Sequence, residues 1–287
     1  MGAEDPRPNP LLDLRGVKKS FLSGGGIRRR TVVAVSGVSL SICPGETVGL
    51  VGESGSGKST VGRLAVGLLR PDEGAVVFKG RDINAERGAL DELRRRVSIV
   101  FQDPHSSLDP RMRIRRILEE PLRVQKVRDI AGKAAAALDR VGLPASGLNK
   151  FPHEFSGGQR QRIAIARALM LDPVLVICDE PVSALDASVQ AQILNLLLDL
   201  RKHLGLAYLF ISHDLGVVRH VCDRVAVMYR GEIVEEGPAE AVCTRPRHDY
   251  TRRLFDAIPG PCAQSGKTAT EPAAKLREKH EKAVGSG

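Results

Sequence analysis

Several short runs in this 287-residue chain bring together the residue types needed to handle a phosphate ester. Gly52-Glu53-Ser54-Gly55-Ser56-Gly57-Lys58-Ser59 fits the pattern G-x-x-x-x-G-K-[ST]. Its glycines let successive backbone N–H groups curl toward a polyphosphate, and the positive end of the following helix adds to them. Lys58 is placed to reach the β- and γ-phosphates, and Ser59 to offer a hydroxyl to Mg²⁺. A second run, Leu175-Val176-Ile177-Cys178-Asp179-Glu180, is an apolar strand that ends in two carboxylates. Asp179 is the candidate Mg²⁺ ligand, acting through water, and Glu180 the candidate for polarising an attacking water in line.

Three further polar residues follow predicted strands or the acidic pair. Gln102 comes after SIVF, His213 after AYLFIS, and Asp186 closes Ser183-Ala184-Leu185-Asp186. Alone, each would be an ordinary loop residue or cap. Their shared placement at the carboxyl edge of one sheet directs Gln102 and His213 toward a γ-phosphate, where charge spreads in the transition state. A second anion-binding turn, Ser156-Gly157-Gly158-Gln159, precedes a segment with helical periodicity. One chain with one nucleotide site has no evident need of it.

The elements that must position these residues follow from the apolar pattern. Short β-type runs stand at 11–14, 32–35 and 38–42, separated in part by the basic loop GGGIRRR. The run 46–51 is a strand leading into the glycine-rich loop, and 60–69 has helical spacing. Strands are predicted at 76–78 and 97–101 around a helix at 88–95. From 104 to 170 helical signals replace strand signals, notably at 114–124, 129–141 and 160–170. Strand–helix alternation then resumes with 174–178, an amphipathic helix at 187–203 and 207–212. The two flanking runs are continuously apolar, as in strands buried on both faces of a parallel sheet. A terminal strand pair is predicted at 224–229 and 232–236.

Composition narrows the class. The chain is 42% hydrophobic and 27% charged, ordinary for a globular protein, and aromatics make up 3% with no Trp, which disfavours a base-stacking surface. The formal charge of +9 suits nucleic acid, an anionic membrane surface or phosphate ligands, and by itself selects none of them. Cys43, Cys178, Cys222, Cys243 and Cys262 lack metal-ligand spacing and read as reduced thiols. No signal-peptide pattern follows Met1, and no apolar run reaches the roughly 18 residues that span a bilayer.

In this order, GESGSGKS, Gln102, FSGGQ, VLVICDE, SALD and His213 resemble the ATP-binding subunit of an ABC transporter, over about residues 11–258. The resemblance implies an α/β P-loop NTPase core, with a mixed, mainly parallel sheet and N-terminal antiparallel strands, and an inserted helical subdomain. The implied division is a leader at 1–10, core at 11–103 and 171–245, helical insertion at 104–170, a family segment at 246–262 and a flexible tail at 263–287. It implies ATP and Mg²⁺ as ligands. The nucleotide would be held by Phe21, stacking on adenine, and by Gly52, Glu53, Ser54, Gly55, Ser56, Gly57, Lys58, Ser59 and Thr60. Ser59, Gln102 and Asp179 would hold Mg²⁺, and Glu180, His213 and Gln102 would be catalytic. Ser156, Gly157, Gly158 and Gln159 would face the ATP of a partner, and Asp186 would communicate across the dimer. Departures are modest: Phe155 for the usual Leu, Phe21 for the commoner Tyr, and Val182 for a frequent Thr.

FQDPHSSLDPRM (101–112) and RPRHDYTRRLFDAIPGP (245–261) look like segments of oligopeptide, dipeptide and nickel importer ATPases, with Asp249 in place of a usual Pro. That group implies a heterodimer with a second ATPase subunit, two transmembrane permeases and an extracytoplasmic solute-binding protein. It implies no nucleic acid, and a peripheral place on the cytoplasmic face of the inner membrane. With only Cys262 in the tail, the chain resembles the subunit type without a C-terminal cysteine cluster. A nickel or other small-solute importer is the nearest alternative. A soluble ABC ATPase acting on nucleic acid is the rival from a different class, and paired heads or long coiled-coil insertions that would mark it are missing from the sequence.

Overall fold

The computed structural model of the chain describes residues 9–23, 30–103 and 107–256. Most of the leader, most of the GGGIRRR loop, and the tail with Cys262 lie outside the described residues.

β1 (Leu12–Ser23) and β2 (Arg30–Ile42) are the first two strands, and β3 (Thr47–Val51) leads into the glycine-rich loop and α1 (Lys58–Ala65). β4 (Glu73–Phe78) and β5 (Arg81–Asp82) complete an antiparallel sheet of order β2-β1-β4-β5. The runs predicted at 32–35 and 38–42 are one strand whose inward phase breaks at Gly37: Val35, Val38, Leu40 and Ile42 are buried. Gly37 is skipped in the pairing, where Val17 opposes Val38 and Lys18 opposes Ser36. β1 gains an extra residue between Leu14 and Val17, so these two bulges cancel and keep both apolar faces inward, while a third shift between Lys19 and Ser20 skips Ala34.

The second sheet has order β10-β9-β3-β8-β7-β6. It comprises β6 (Val97–Val100), β7 (Leu175–Asp179), β8 (Ala207–Ser212), β9 (Arg224–Tyr229) and β10 (Glu232–Pro238). All neighbours are parallel except β9 and β10. Every residue of β3, β7 and β8 is buried. Alternate side chains serve two cores. Leu50, Ile177, Leu209 and Ile211 pack toward α1 and the antiparallel sheet, while Val176, Cys178, Tyr208 and Phe210 pack toward the helices. This two-sided burial explains the uninterrupted apolar runs.

Between β6 and β7 the described chain is helical. α2 (Ala89–Arg96) precedes β6, and α3 (Ile114–Val124), α4 (Lys133–Arg140) and α5 (Gly157–Ala168) follow it. Ile114, Ile117, Leu118 and Leu122 give α3 its buried stripe. α4 starts four residues later than the 129 the sequence suggests, because the Asp129 carboxylate accepts the Ala131 N–H in a turn. α5 begins three residues earlier than predicted, at Gly157. Ser156 Oγ accepts the Gln159 N–H at 3.3 Å and Gln159 Oε1 accepts the Ser156 N–H at 3.0 Å, a reciprocal cap.

α6 (Ala187–Leu204), α7 (Leu215–Val221), α8 (Ala239–Thr244) and α9 (Asp249–Asp256) complete the structure. Among the described residues no helix is long and apolar enough to cross a membrane. Cys178, Cys222 and Cys243 are buried and Cys43 partly so; burial pushes the Cys178 and Cys222 thiols up.

Candidate nucleotide site

β3 delivers the glycine-rich loop to the carboxyl edge of the parallel sheet, and two glycines let it sit there. Gly52 has φ 150°, and a Cβ on it would lie 2.1 Å from the Met228 carbonyl oxygen. Gly57 has φ 108°, and a Cβ there would lie 2.2 Å from the Ala34 carbonyl oxygen. Only glycine fits either backbone. The loop is pinned from outside as well, since the Gly231 N–H in the β9–β10 turn donates to Ser56 O at 3.0 Å. α1 starts at Lys58 with no side-chain cap, so its first N–H groups remain available to an anion.

Lys58 is buried, and its ammonium donates to Gly52 O and Glu53 O, both at 2.7 Å. Burial pushes it below its ordinary value, against the pull of the Glu180, Asp179 and Glu53 carboxylates. β7 places Asp179 opposite α1, where its Oδ1 accepts the Ser59 hydroxyl at 3.1 Å. Burial pushes the Asp179 carboxyl above its ordinary value; the Ser59 hydroxyl opposes this, Glu180 adds to it, and Arg63 and Lys58 oppose it. A phosphate beside Lys58 and a cation beside Asp179 would each relieve a group that burial penalises.

Glu180, immediately after β7, is held at φ +49° by its N–H donating to Ile211 O at 2.9 Å. Its Oε2 accepts from Gln102 Nε2 at 2.9 Å and lies 3.3 Å from His213 Nδ1. Three residues from three separate strand ends therefore meet at one carboxylate oxygen. They share a 520 Å³ cleft with Lys58, Ser59 and Thr60. Ser54, Gly55 and Gly57 also line it. Serine hydroxyl, aspartate oxygen and the Gln102 amide oxygen are hard donors of the kind Mg²⁺ accepts alongside phosphates and water. Among the described residues no cluster of three His, Cys, Asp or Glu could hold a metal without such help.

The remaining predicted residues lie elsewhere. Phe21 is 39% exposed near the end of β1, opposite Val32 and with Lys19 Nζ 6.0 Å from its ring centre, and it does not line the cleft. Ser156 is exposed at the head of α5, also outside the cleft lining. Gly158 lets that head pack on α6: a Cβ there would lie 2.5 Å from a Val189 methyl. Asp186 caps α6 by accepting the Val189 N–H at 2.9 Å, so the turn and SALD abut at one helix contact. Sequence reasoning missed Tyr250, whose hydroxyl accepts the Glu53 N–H at 3.0 Å from far along the chain.

The family model "ABC transporter" matches residues 35–183. The glutathione import ATP-binding protein GsiA of Salmonella paratyphi A is 51% identical over 257 residues, 87% of this chain but 41% of that protein, so the chain spans less than half of that relative's length. The putative peptide import ATP-binding protein BOV_A0347 of Brucella ovis is 50% identical over 88% of this chain and 80% of its own. The ATP-binding cassette MJ0796, solved as a dimer in a post-hydrolysis state with ADP and Pi, superposes with a TM-score of 0.70 at 31% identity, covering 79% of this chain and 98% of its own. CbiO1 from Clostridium perfringens, part of the ABC transporter complex CbiONQ, gives a TM-score of 0.70 at 27% identity over 88% and 97%. Phosphate loop, sheet order, helical insertion and these likenesses lead to one conclusion: the chain belongs to the ABC transporter family and has the fold of its ATP-binding cassettes.

Proposed function

We propose that the chain binds and hydrolyses ATP as the energy-supplying subunit of a peptide importer. The observation that carries this is the meeting of Gln102, Glu180 and His213 at one carboxylate oxygen, in the cleft that holds Lys58 and Ser59. The loop N–H groups and Lys58 hold the β- and γ-phosphates, and Glu53, Ser54, Gly55 and Ser56 shape the turn. Ser59, Asp179 and Gln102 would hold Mg²⁺, which would supply positive charge against the phosphates. Glu180 orients and deprotonates the attacking water, Gln102 keeps the carboxylate aimed, and His213 donates to the γ-phosphate. Phe21 supplies the adenine contact.

MJ0796 is solved as a dimer, and the exposed head of α5 supports a dimer here: Ser156 and the Gly157 and Gly158 N–H groups, which the reciprocal cap leaves unused, complete the site of a partner subunit, with Asp186 at the contact. The names of the glutathione and peptide import relatives favour peptides over nickel as cargo, with cargo chosen by a solute-binding protein and two permeases. The helical insertion meets the permeases. Its pocket, lined by Arg111, Arg113, Arg115, Arg116 and Arg123, offers positive charge to their loops on the cytoplasmic face of the membrane. The test is ATP-dependent uptake of a labelled peptide in cells lacking the chain. Wild type should restore uptake and Lys58→Ala should not. Copurification with duplex DNA and failure to associate with membranes would overturn the importer reading.

A further inference from the structure

The segment just before and within α9 forms a strap across the phosphate loop. Glu235, on β10, accepts the N–H groups of Arg247 and His248 at 2.8 and 2.9 Å, which fastens the strap to the sheet. His248 Nδ1 accepts the Tyr250 N–H at 3.1 Å and so sets the first turn of α9. Tyr250 is 3% exposed, and its ring lies 4.1 Å from the Tyr229 ring at the end of β9. These anchors aim its hydroxyl at the Glu53 N–H.

The peptide unit this hydroxyl meets is the one joining Gly52 to Glu53. At its other end, the Gly52 oxygen accepts from Lys58. One peptide plane is therefore gripped at its N–H by Tyr250 and at its oxygen by the lysine that reaches for phosphate. When a phosphate draws Lys58 away, the hydroxyl is the grip that remains. The strap reaches the other side of the site too, since Arg253 and Leu254 of α9 share a 330 Å³ cleft with Gly52 and His213.

We propose that Tyr250 is a positioning residue for ATP binding, holding the Gly52–Glu53 peptide in the orientation that keeps the loop N–H groups turned toward phosphate. Burial pushes the phenol up, so at neutral pH it is a neutral hydroxyl that can accept the N–H. A Phe in its place retains the ring against Tyr229 and removes only this acceptor, so preorganisation of the loop is lost without the strap being lost.

The inference rests on ATP binding at Lys58, and the test separates the two. MgATP affinity is measured by titration calorimetry on the full chain for wild type, Tyr250→Phe, Glu235→Ala, the double variant and Lys58→Ala. Tyr250→Phe should weaken MgATP about tenfold, with the melting temperature unchanged to within about 2 °C. In hydrolysis its KM should rise and its kcat should not. Glu235→Ala, which unfastens the strap, should weaken binding in the same direction, and the double variant should be no weaker than the worse single, because both act through one hydrogen bond. Tyr250→Phe affinity within about twofold of wild type, or a fall in kcat at constant KM, overturns the proposal while Lys58→Ala still abolishes binding. Unchanged affinity in Lys58→Ala overturns the nucleotide site itself.

Discussion

Replacing Glu180 by Gln converts one carboxylate oxygen into an amide nitrogen and leaves the side chain its length. Gln can still accept from Gln102 Nε2, now 2.9 Å away, so its aim survives. What goes is the capacity to take a proton from water and the negative charge facing His213. Loss of a general base costs about 10²–10⁴-fold in turnover, or about 2.7–5.5 kcal/mol of barrier. ATP affinity should hold or rise, because Lys58 and the loop supply the binding and a carboxylate no longer opposes the phosphates. Phosphate release under saturating MgATP, with nucleotide affinity and dimer trapping followed in parallel, is the assay. Turnover within about threefold of wild type would refute the role of Glu180. Glu180→Gly checks the backbone. At φ +49° a residue with a Cβ pays about 1 kcal/mol or more, worth about 2–4 °C in melting temperature for a domain of this size. Glu180→Gly should be as inactive as Glu180→Gln yet melt no lower; a lower melting temperature than Glu180→Gln would show that the left-handed backbone stores no strain.

Gly57→Ala should abolish ATP binding and cost about 1–3 kcal/mol of stability, since its Cβ meets the Ala34 oxygen; calorimetry and thermal unfolding read both effects. Ser156→Arg should leave MgATP binding at Lys58 intact while hydrolysis by the assembled dimer falls, and loss of the chain's own binding would contradict a turn that serves a partner. Burial pushes Glu235 up, but the His248 and Arg247 N–H groups outweigh it and hold the carboxyl below its ordinary value. Its stabilisation is therefore present above about pH 4.3 and lost as pH falls through the lower folded value. The melting-temperature gap between wild type and Glu235→Ala should shrink from pH 7 to pH 3, and a gap that stays constant would refute the linkage.

The chemistry-bearing residues of the cleft were legible because each terminates a strand that announces itself. VLVIC and AYLFI are apolar because the strands they form are covered on both faces, while SIVF belongs to a half-buried edge strand and leaves Phe101 exposed. Gln102 and Asp179 follow directly, with His213 one residue on, after Ser212. α7 and α9 carry weaker signals: Asp214 does cap α7, accepting from Gly216 and Val217, but seven residues are too few to show a period. β2 read as two strands because the bulge at Gly37 shifts its phase, and periodicity cannot see a bulge that a neighbouring strand compensates. Tyr250 was hidden for a different reason. It lies 197 positions from Glu53, and only the fold brings a hydroxyl to that N–H. The contacts that seat Gly52 and Gly57 were equally hidden, because they are made by carbonyl oxygens and no side-chain type betrays them.

Those seats bear on how the gene can mutate and recover. A damaging substitution at a side-chain contact can often be rescued by a smaller neighbour, but every residue at 34 or 228 presents the same carbonyl oxygen. The Met228 side chain, 2.7 Å from a Cβ at Gly57, can be trimmed; the Ala34 oxygen, nearer at 2.2 Å, cannot. A suppressor screen on a strain carrying Gly57→Ala should therefore return true revertants to glycine and no pseudorevertants at these contact positions. The side chains at 34 and 228 answer to other demands, since Ala34 lines the cleft and Met228 is fully buried, but no change of either removes the oxygen that the loop must clear.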